Sequence, residues 1–250
     1  MKKEIDFAYL TDIGKIRKNN EDRATTLNFG AVQLLVVCDG MGGHRKGEVA
    51  SELALDIVAS SFENGQVPTN EYRAKKMLKR VLREANSEIN KLSSADCEYA
   101  DMGTTIVLAL VLEDVTVICN CGDSRAYCYS RESGLRLLTT DQTYVQYLYE
   151  TGRITKEEMA THPKRHVLMN AMGINPSCTY DVLTVTNDYE ALLLVSDGFS
   201  NMVSFREIEQ FLALEARTKD KVDAMLARAL ANGGTDNIAI NLMEVKNENR

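Results

Sequence analysis

Tryptophan is absent from this chain of 250 residues, and proline and histidine occur only three times each. With so little proline and no low-complexity stretch, a disordered tail protein and a fibrous repeat are both excluded. The six cysteines (Cys38, Cys97, Cys119, Cys121, Cys128 and Cys178) contain no CxxC pair, and His44, His162 and His166 show no ligand spacing, which disfavours zinc. Most of the cysteines sit inside apolar runs, where a free thiol behaves as a small hydrophobe. The start Met1-Lys2-Lys3-Glu4-Ile5-Asp6 has no apolar leader, so reduced thiols in a cytoplasmic protein are the expectation. The longest clean apolar run, Ile106 to Leu112, falls far short of the roughly 20 residues that cross a bilayer. Positive charge is also in deficit, with 29 Lys plus Arg against 36 Asp plus Glu and a net charge of −7. The basic clusters Lys15-Ile16-Arg17-Lys18 and Arg45-Lys46 are short and lack aromatics, so neither nucleic acid nor a membrane is an expected partner.

What remains is ordinary globular composition, 44% hydrophobic and 26% charged. No linker or internal repeat interrupts it, and a single domain over residues 1–250 is expected. Apolar strand-like runs lie at Leu34 to Cys38, Thr104 to Leu112, Val115 to Cys121, Ala126 to Tyr129, Leu135 to Leu138, Val182 to Thr186, Ala191 to Ser196 and Ile238 to Val245. Strand follows strand with short turns, which favours antiparallel pairing and an α+β class. Helical spacing marks Val49 to Val58 and Met77 to Leu92, and a last helix covers Lys221 to Leu230 before Asn232-Gly233-Gly234. Ser204-Phe205-Arg206-Glu207 and Thr155-Lys156-Glu157-Glu158 have the form of capping boxes. Residues 141–173 are polar, helical in places and broken at His162-Pro163, a pattern that fits a flap beside a sheet edge or a surface excursion.

Four acids share one context. Asp39, Asp123, Asp197 and Asp236 each stand where an apolar strand meets a glycine-containing turn, and Glu21-Asp22 adds two carboxylates on a polar loop. One Asp-Gly is an ordinary turn signal. Four in one chain are harder to explain that way, because a carboxylate at a buried strand end is costly unless it is paired or bound to metal. Converging, they would make an oxygen-rich cage of the kind that suits Mg²⁺ or Mn²⁺. The loop Gly40-Met41-Gly42-Gly43-His44 lacks both the Gly-Lys-Ser/Thr and the G-x-G-x-x-G patterns, and no G-x-S-x-G elbow occurs. Arg17, four residues before Glu21, suits either a phosphate group or a surface ion pair.

These segments, taken together, resemble the metal-dependent serine/threonine protein phosphatases of the protein phosphatase 2C type in their bacterial form. The resemblance runs from Thr11-Asp12-Ile13-Gly14-Lys15-Ile16-Arg17-Lys18-Asn19-Asn20-Glu21-Asp22 through Val37-Cys38-Asp39-Gly40-Met41-Gly42-Gly43-His44, Met102-Gly103-Thr104-Thr105 and Asn120-Cys121-Gly122-Asp123-Ser124-Arg125. It continues with Ser196-Asp197-Gly198 and Gly234-Thr235-Asp236-Asn237 and covers nearly the whole chain in order. It implies a sandwich of two antiparallel sheets flanked by helices, in α-β-β-α layers. It also implies two Mn²⁺ or Mg²⁺ ions bridged by Asp39, with the Gly40 carbonyl, Asp197 and Asp236 as further ligands and Glu21 and Asp22 acting through waters. Asp123 would join Asp197 at a third, weaker ion. Arg17 would grip the substrate phosphate, and Arg165 and His166 on the flap would touch the substrate.

By the same resemblance, a hydroxide between the ions attacks phosphorus in phosphoserine or phosphothreonine of a protein, opposing a serine/threonine kinase, in a monomeric signalling enzyme. Three departures stand out. Met41 replaces a histidine, leaving a bound water or His44 as the proton donor; Asn201 replaces a third-site aspartate; and Gln142 replaces a common histidine.

Overall fold

The computed structural model describes residues 4–42, 46–63 and 67–246. Gly43, His44 and Arg45 lie outside them, and with them the alternative proton donor His44. Among the described residues, eleven strands form two antiparallel sheets. The first sheet runs β2 (Asp22–Asn28), β3 (Gln33–Met41), β5 (Ile106–Val111), β6 (Val115–Cys121) and β9 (Asp181–Thr186), with the two-residue β4 (Gly103–Thr104) paired to the end of β3. The second runs β1 (Glu4–Asp12), β11 (Ile238–Lys246), β10 (Ala191–Val195), β7 (Arg125–Ser130) and β8 (Gly134–Leu137).

Each sheet is covered on both faces. From β3, Leu34, Val36 and Cys38 pack under α1 (Lys46–Glu63) and α2 (Glu71–Ala95), while Leu35 and Val37 face the other sheet through Ala126, Leu192, Leu194 and Ala239. The outer face of the second sheet packs on α6 (Phe205–Ala213) and α7 (Thr218–Ala231) through Leu193, Val195, Ile208, Met225 and Ile240. The layers are therefore α-β-β-α, as the resemblance implied. Double coverage explains why the central strands read as unbroken apolar runs although they are antiparallel. Fully burying each such Leu or Ile is worth about 1.5–3 kcal/mol relative to exposure.

Two strands escaped the sequence reading. β1 and β2 are sheet edges, and β1 mixes Asp6, Tyr9 and Thr11 among its apolar residues. The two capping boxes are present at Thr155/Glu158 and Ser204/Glu207, where each hydroxyl and carboxylate satisfies the other residue's backbone N–H. Residues 141–173 carry α3 (Tyr144–Glu150) and α4 (Lys156–Thr161) and rejoin the sandwich through the Thr104–Met172 bridge. No described helix is long and apolar enough to cross a membrane.

Candidate metal centre

The sheet register brings the acids to one end of the sandwich. Antiparallel pairing of β2 with β3 sets Asp22 directly opposite Asp39. Like charges at such a position repel, so the sequence places them together against the ordinary preference of a sheet. Asp197 follows β10 and opens the short helix α5 (Asp197–Ser200), Asp123 immediately precedes the Ser124-Arg125 entry to β7, and Asp236 immediately precedes Asn237 and β11. Val195 pairs with both Arg125 and Ile240, which fixes those three turns side by side.

Close backbone approach needs glycine at two of these turns. A Cβ on Gly40 would lie 2.1 Å from the Gly47 carbonyl oxygen, and one on Gly198 would lie 1.9 Å from that of Asn237. The Gly40 N–H donates to the Glu21 carbonyl at 3.1 Å, and Ser51 Oγ donates to the same oxygen at 2.5 Å. Gly40 itself lines the cleft described below.

A cleft of about 840 Å³ opens over these turns, lined by Arg17, Glu21, Asp39, Gly40, Asp123, Asp197 and Asp236, with Met41, Thr105, His166 and Asn237 among its other walls. Asp22 lies beneath it. The sequence placed Glu21-Asp22 on a polar loop; instead Asp22 is the first residue of β2 and only 1% exposed. Polar Arg23, Thr25 and Thr26 after it concealed the strand. Of the two flap candidates, His166 lines the cleft and acts electrostatically on Asp197. Arg165 is exposed and is not part of the lining.

Negative charge outweighs positive in the cluster, although Arg125 acts on Asp123 and Asp197 and Arg17 on Glu21. Burial pushes the Asp22 carboxyl up to about 8, helped by Asp197 and Asp236. Desolvation pushes Asp39 well above the carboxylate range, with Asp22, Asp197, Asp123 and Asp236 all adding to the rise. Burial and Asp197 hold Asp123 at about 8, and burial and Asp236 raise Asp197. Glu21 is raised by burial despite the nearby Arg17. Ser196 and Asp39 lie close to the Asp22 carboxylate, yet neither meets it with hydrogen-bond geometry, and both of its oxygens are buried without a partner. Orphaned buried carboxylate oxygens among four further acids are the donor set of a hard, oxygen-ligated cation. The residues present fit a divalent ion of that kind.

The acids are not already closed around a point. Among the described residues no three His, Cys, Asp or Glu side chains stand in a ready ligand cluster. Arg17 Nη2 donates to Asp236 Oδ2 at 2.7 Å. Arg17 and Asp236 side chains are 54% and 34% exposed, and an ion pair so open to water is worth only about 0–1 kcal/mol, so a cation or a phosphate displaces it at small cost.

Several positioning residues were not singled out by the sequence. Asn237 donates through Nδ2 to the carbonyls of Ile13 and Asn19 at 2.9 Å and accepts from the Glu21 N–H at 2.9 Å, binding the Arg17 loop to the Asp236 turn. Thr105 Oγ1 accepts from the Asp39 N–H at 3.2 Å and shares a 2.7 Å bond with Ser124. All three belong to the motif segments quoted above, so the signal was present without a role attached. The departures also find places. Asn201 Nδ2 donates to Asp197 Oδ2 at 3.2 Å, and Gln142 Oε1 accepts from the Gly122 N–H at 3.0 Å while its Nε2 donates to Asp181 at 2.8 Å.

Residues 16–239 match the protein phosphatase 2C family. The chain belongs to that family. The serine/threonine phosphatase stp of Listeria monocytogenes serotype 4b (strain F2365) is 35% identical over 238 residues, 94% of each chain. Among solved structures, serine/threonine phosphatase Stp1 from Staphylococcus aureus superposes with a TM-score of 0.92 at 36% identity, covering 98% of this chain and 96% of that one. The catalytic domain of the serine/threonine protein phosphatase PstP, solved in complex with 2 manganese ions, superposes at 0.82 with 31% identity, covering 97% and 99%. The sandwich is thus that of a 2C-type phosphatase.

Proposed function

We propose that this chain is a metal-dependent protein phosphatase that hydrolyses phosphoserine and phosphothreonine in proteins. The observation that carries the reading is the convergence of Asp39, Asp123, Asp197 and Asp236 on one cleft, with Asp22 buried beneath it. Asp39, Asp197, Asp236 and the Gly40 carbonyl would hold two Mn²⁺ or Mg²⁺ ions, with Glu21 and Asp22 acting through waters and Asp123 joining Asp197 at a third. When bound, such ions acidify water and offset charge on phosphate oxygens.

The chain's own residues do the rest. Arg17 stands at the rim, where its guanidinium fork can leave Asp236 and take two phosphate oxygens of the substrate. The one cysteine beside the site, Cys38, is no nucleophile, because burial and the charges of Asp22 and Asp39 keep its thiol protonated. His166 supplies the imidazole of the described cleft wall, and Met41 stands where it offers no proton. Asn201 donates to Asp197 instead of adding a carboxylate, which supports weaker occupancy of the third site.

The substrates would be made by a serine/threonine kinase, since transfer to a hydroxyl is the reaction that supplies a phosphomonoester of this kind. We place the enzyme in the cytoplasm as a monomeric signalling phosphatase, a placement in keeping with six free cysteines.

Hydrolysis of an aryl phosphate with Mn²⁺, and its loss on chelation, tests the chemistry; a panel of phosphopeptides, nucleotides and sugar phosphates tests the substrate class. Metal-independent turnover, or preference for a small metabolite, contradicts the reading. Replacing Arg17 by alanine is expected to lower kcat/KM about 10–100-fold, mostly through KM, as for the loss of a hydrogen bond to a charged group. Unchanged kcat and KM would remove Arg17 from the phosphate site.

A further inference from the structure

A dense run of positive charge lies outside the acid cleft. Between Arg73 and Arg83 on α2 stand six Lys or Arg and no Asp or Glu, in a chain of net charge −7. Lys76, Lys79 and Arg83 follow one another at three and four positions and so share one face of the helix. Like charges so spaced oppose helix formation, and the stripe therefore needs a reason other than the stability of α2. Lys75 pairs with Glu71 at 2.6 Å and Arg80 with Glu84 at 3.6 Å. Arg73, Lys76, Lys79 and Arg83 are exposed and stand in no ion pair with another described residue.

Two of these cations line a cavity. Lys79 and Arg83 border a space of about 720 Å³ together with Asn86, Ser177, Thr179 and Asp181. The chain opposite is pinned to α2. Buried Asn86 donates through Nδ2 to the carbonyls of Asn175 and Pro176 at 3.1 and 3.2 Å and accepts from the Gly173 N–H at 2.8 Å. Asn90 donates to the Gly173 carbonyl at 2.9 Å. A wall held in this way needs little ordering when something binds. Asp181, the acid of the cavity, accepts from Gln142 Nε2 at 2.8 Å, and Gln142 Oε1 accepts from the N–H of Gly122, next to Asp123 of the cleft. The Gln142 side chain thus joins the cavity to the wall of the metal cleft.

We propose that this cavity, with the stripe leading to it, docks an acidic segment of the phosphoprotein substrate, a run of Asp, Glu or phosphorylated residues. The proposal rests on the phosphatase reading for the identity of the partner, while the site itself rests on the charge and the cavity. Guanidinium and ammonium groups without partners pair with carboxylate or phosphate oxygens, and the hydroxyls of Ser177 and Thr179 offer further donors. A short peptide suits a concave site, whereas the net negative charge of the chain repels a long polyanion such as duplex nucleic acid or an anionic bilayer. Docking beside the cleft raises the local concentration of the phosphorylated residue there, so it lowers KM and leaves the chemical step alone.

The test compares the full-length chain with a double variant, Lys79→Glu with Arg83→Glu, both at exposed helical positions. Fluorescence polarisation of a labelled, unphosphorylated Asp/Glu-rich peptide in chelator reads docking without turnover. Binding should weaken at least about tenfold in the double variant, and in the native chain it should weaken as salt rises from about 50 to 500 mM. With Mn²⁺, a phosphopeptide carrying the same acidic run should show a KM at least about fivefold below that of one carrying Ser and Gly instead. The double variant should close that gap and hydrolyse an aryl phosphate at the native rate. Equal peptide binding by the native chain and the variant, a KM gap that persists in the variant, or capture of duplex DNA or phosphatidylserine vesicles in preference to the peptide would overturn the proposal. A native chain that binds the peptide yet hydrolyses neither the phosphopeptides nor the aryl phosphate would instead overturn the phosphatase reading.

Discussion

Replacing Asp39 by asparagine is expected to drop turnover by at least about 10³-fold while raising the thermal stability of the metal-free protein. The first effect follows because Asp39 sits at the centre of the cluster and is the acid proposed to serve both ions. Metal assistance contributes several kcal/mol to such a reaction, and each 1.36 kcal/mol is tenfold in rate. The second effect follows because Asp39 is half-buried opposite Asp22 and is repelled by Asp197, Asp123 and Asp236 as well. An amide of the same shape removes that repulsion. For a chain of this size each kcal/mol gained moves Tm by about 2–4 °C. Steady-state kinetics and calorimetry in chelator measure both. A variant that loses activity and also loses stability would mean that Asp39 is chiefly a structural acid, and an active variant would remove it from the chemistry.

Metal should abolish the pH dependence of stability that these acids cause. Asp22 and Asp123 have folded pKa values near 8, and Asp39 and Asp197 are shifted the same way. In the unfolded chain each titrates near 4. The folded state therefore binds more protons across the intervening range, and unfolding becomes easier as pH rises through it. Stability from these groups is complete below about pH 4 and is lost progressively by about pH 8. Carboxylates with lowered values, Glu71, Glu157, Glu207 and Asp220, titrate below that range and leave the window from about pH 5 to 8 to the cluster. In chelator, Tm should fall steadily from pH 5 to 8. With saturating Mn²⁺ the fall should vanish, because the cation replaces the protons, and binding at pH 6 should release protons into the buffer. Parallel Tm profiles with and without Mn²⁺ would contradict the idea that these acids share a cation.

Much of this was legible in the sequence because the relevant features are local. A doubly covered strand is an unbroken apolar run, so β3, β5, β6, β10 and β11 announced themselves, and the turns after or before them located Asp39, Asp123, Asp197 and Asp236. Strands whose apolar residues are interrupted by polar ones carry no such run; β1 and β2 were missed for that reason, and Asp22 was placed on a loop when it is the most deeply buried acid of the site. Pair contacts across long sequence separations left no local trace. Arg17 meets Asp236 across 219 positions, and Asn237 reaches Asn19 across 218. Gln142 illustrates the middle case: its departure from the family pattern was visible, but its clamp on Gly122 and Asp181 needed the strand register that brings β6 beside β9.

The most direct measurement is an anomalous difference map from crystals grown with Mn²⁺, recorded at an energy where manganese scatters anomalously. Two peaks bounded by the carboxylates of Asp39, Asp197 and Asp236 and the Gly40 carbonyl, with Arg17 released from Asp236, are the predicted result. An active protein whose map shows no manganese between those side chains would contradict the account.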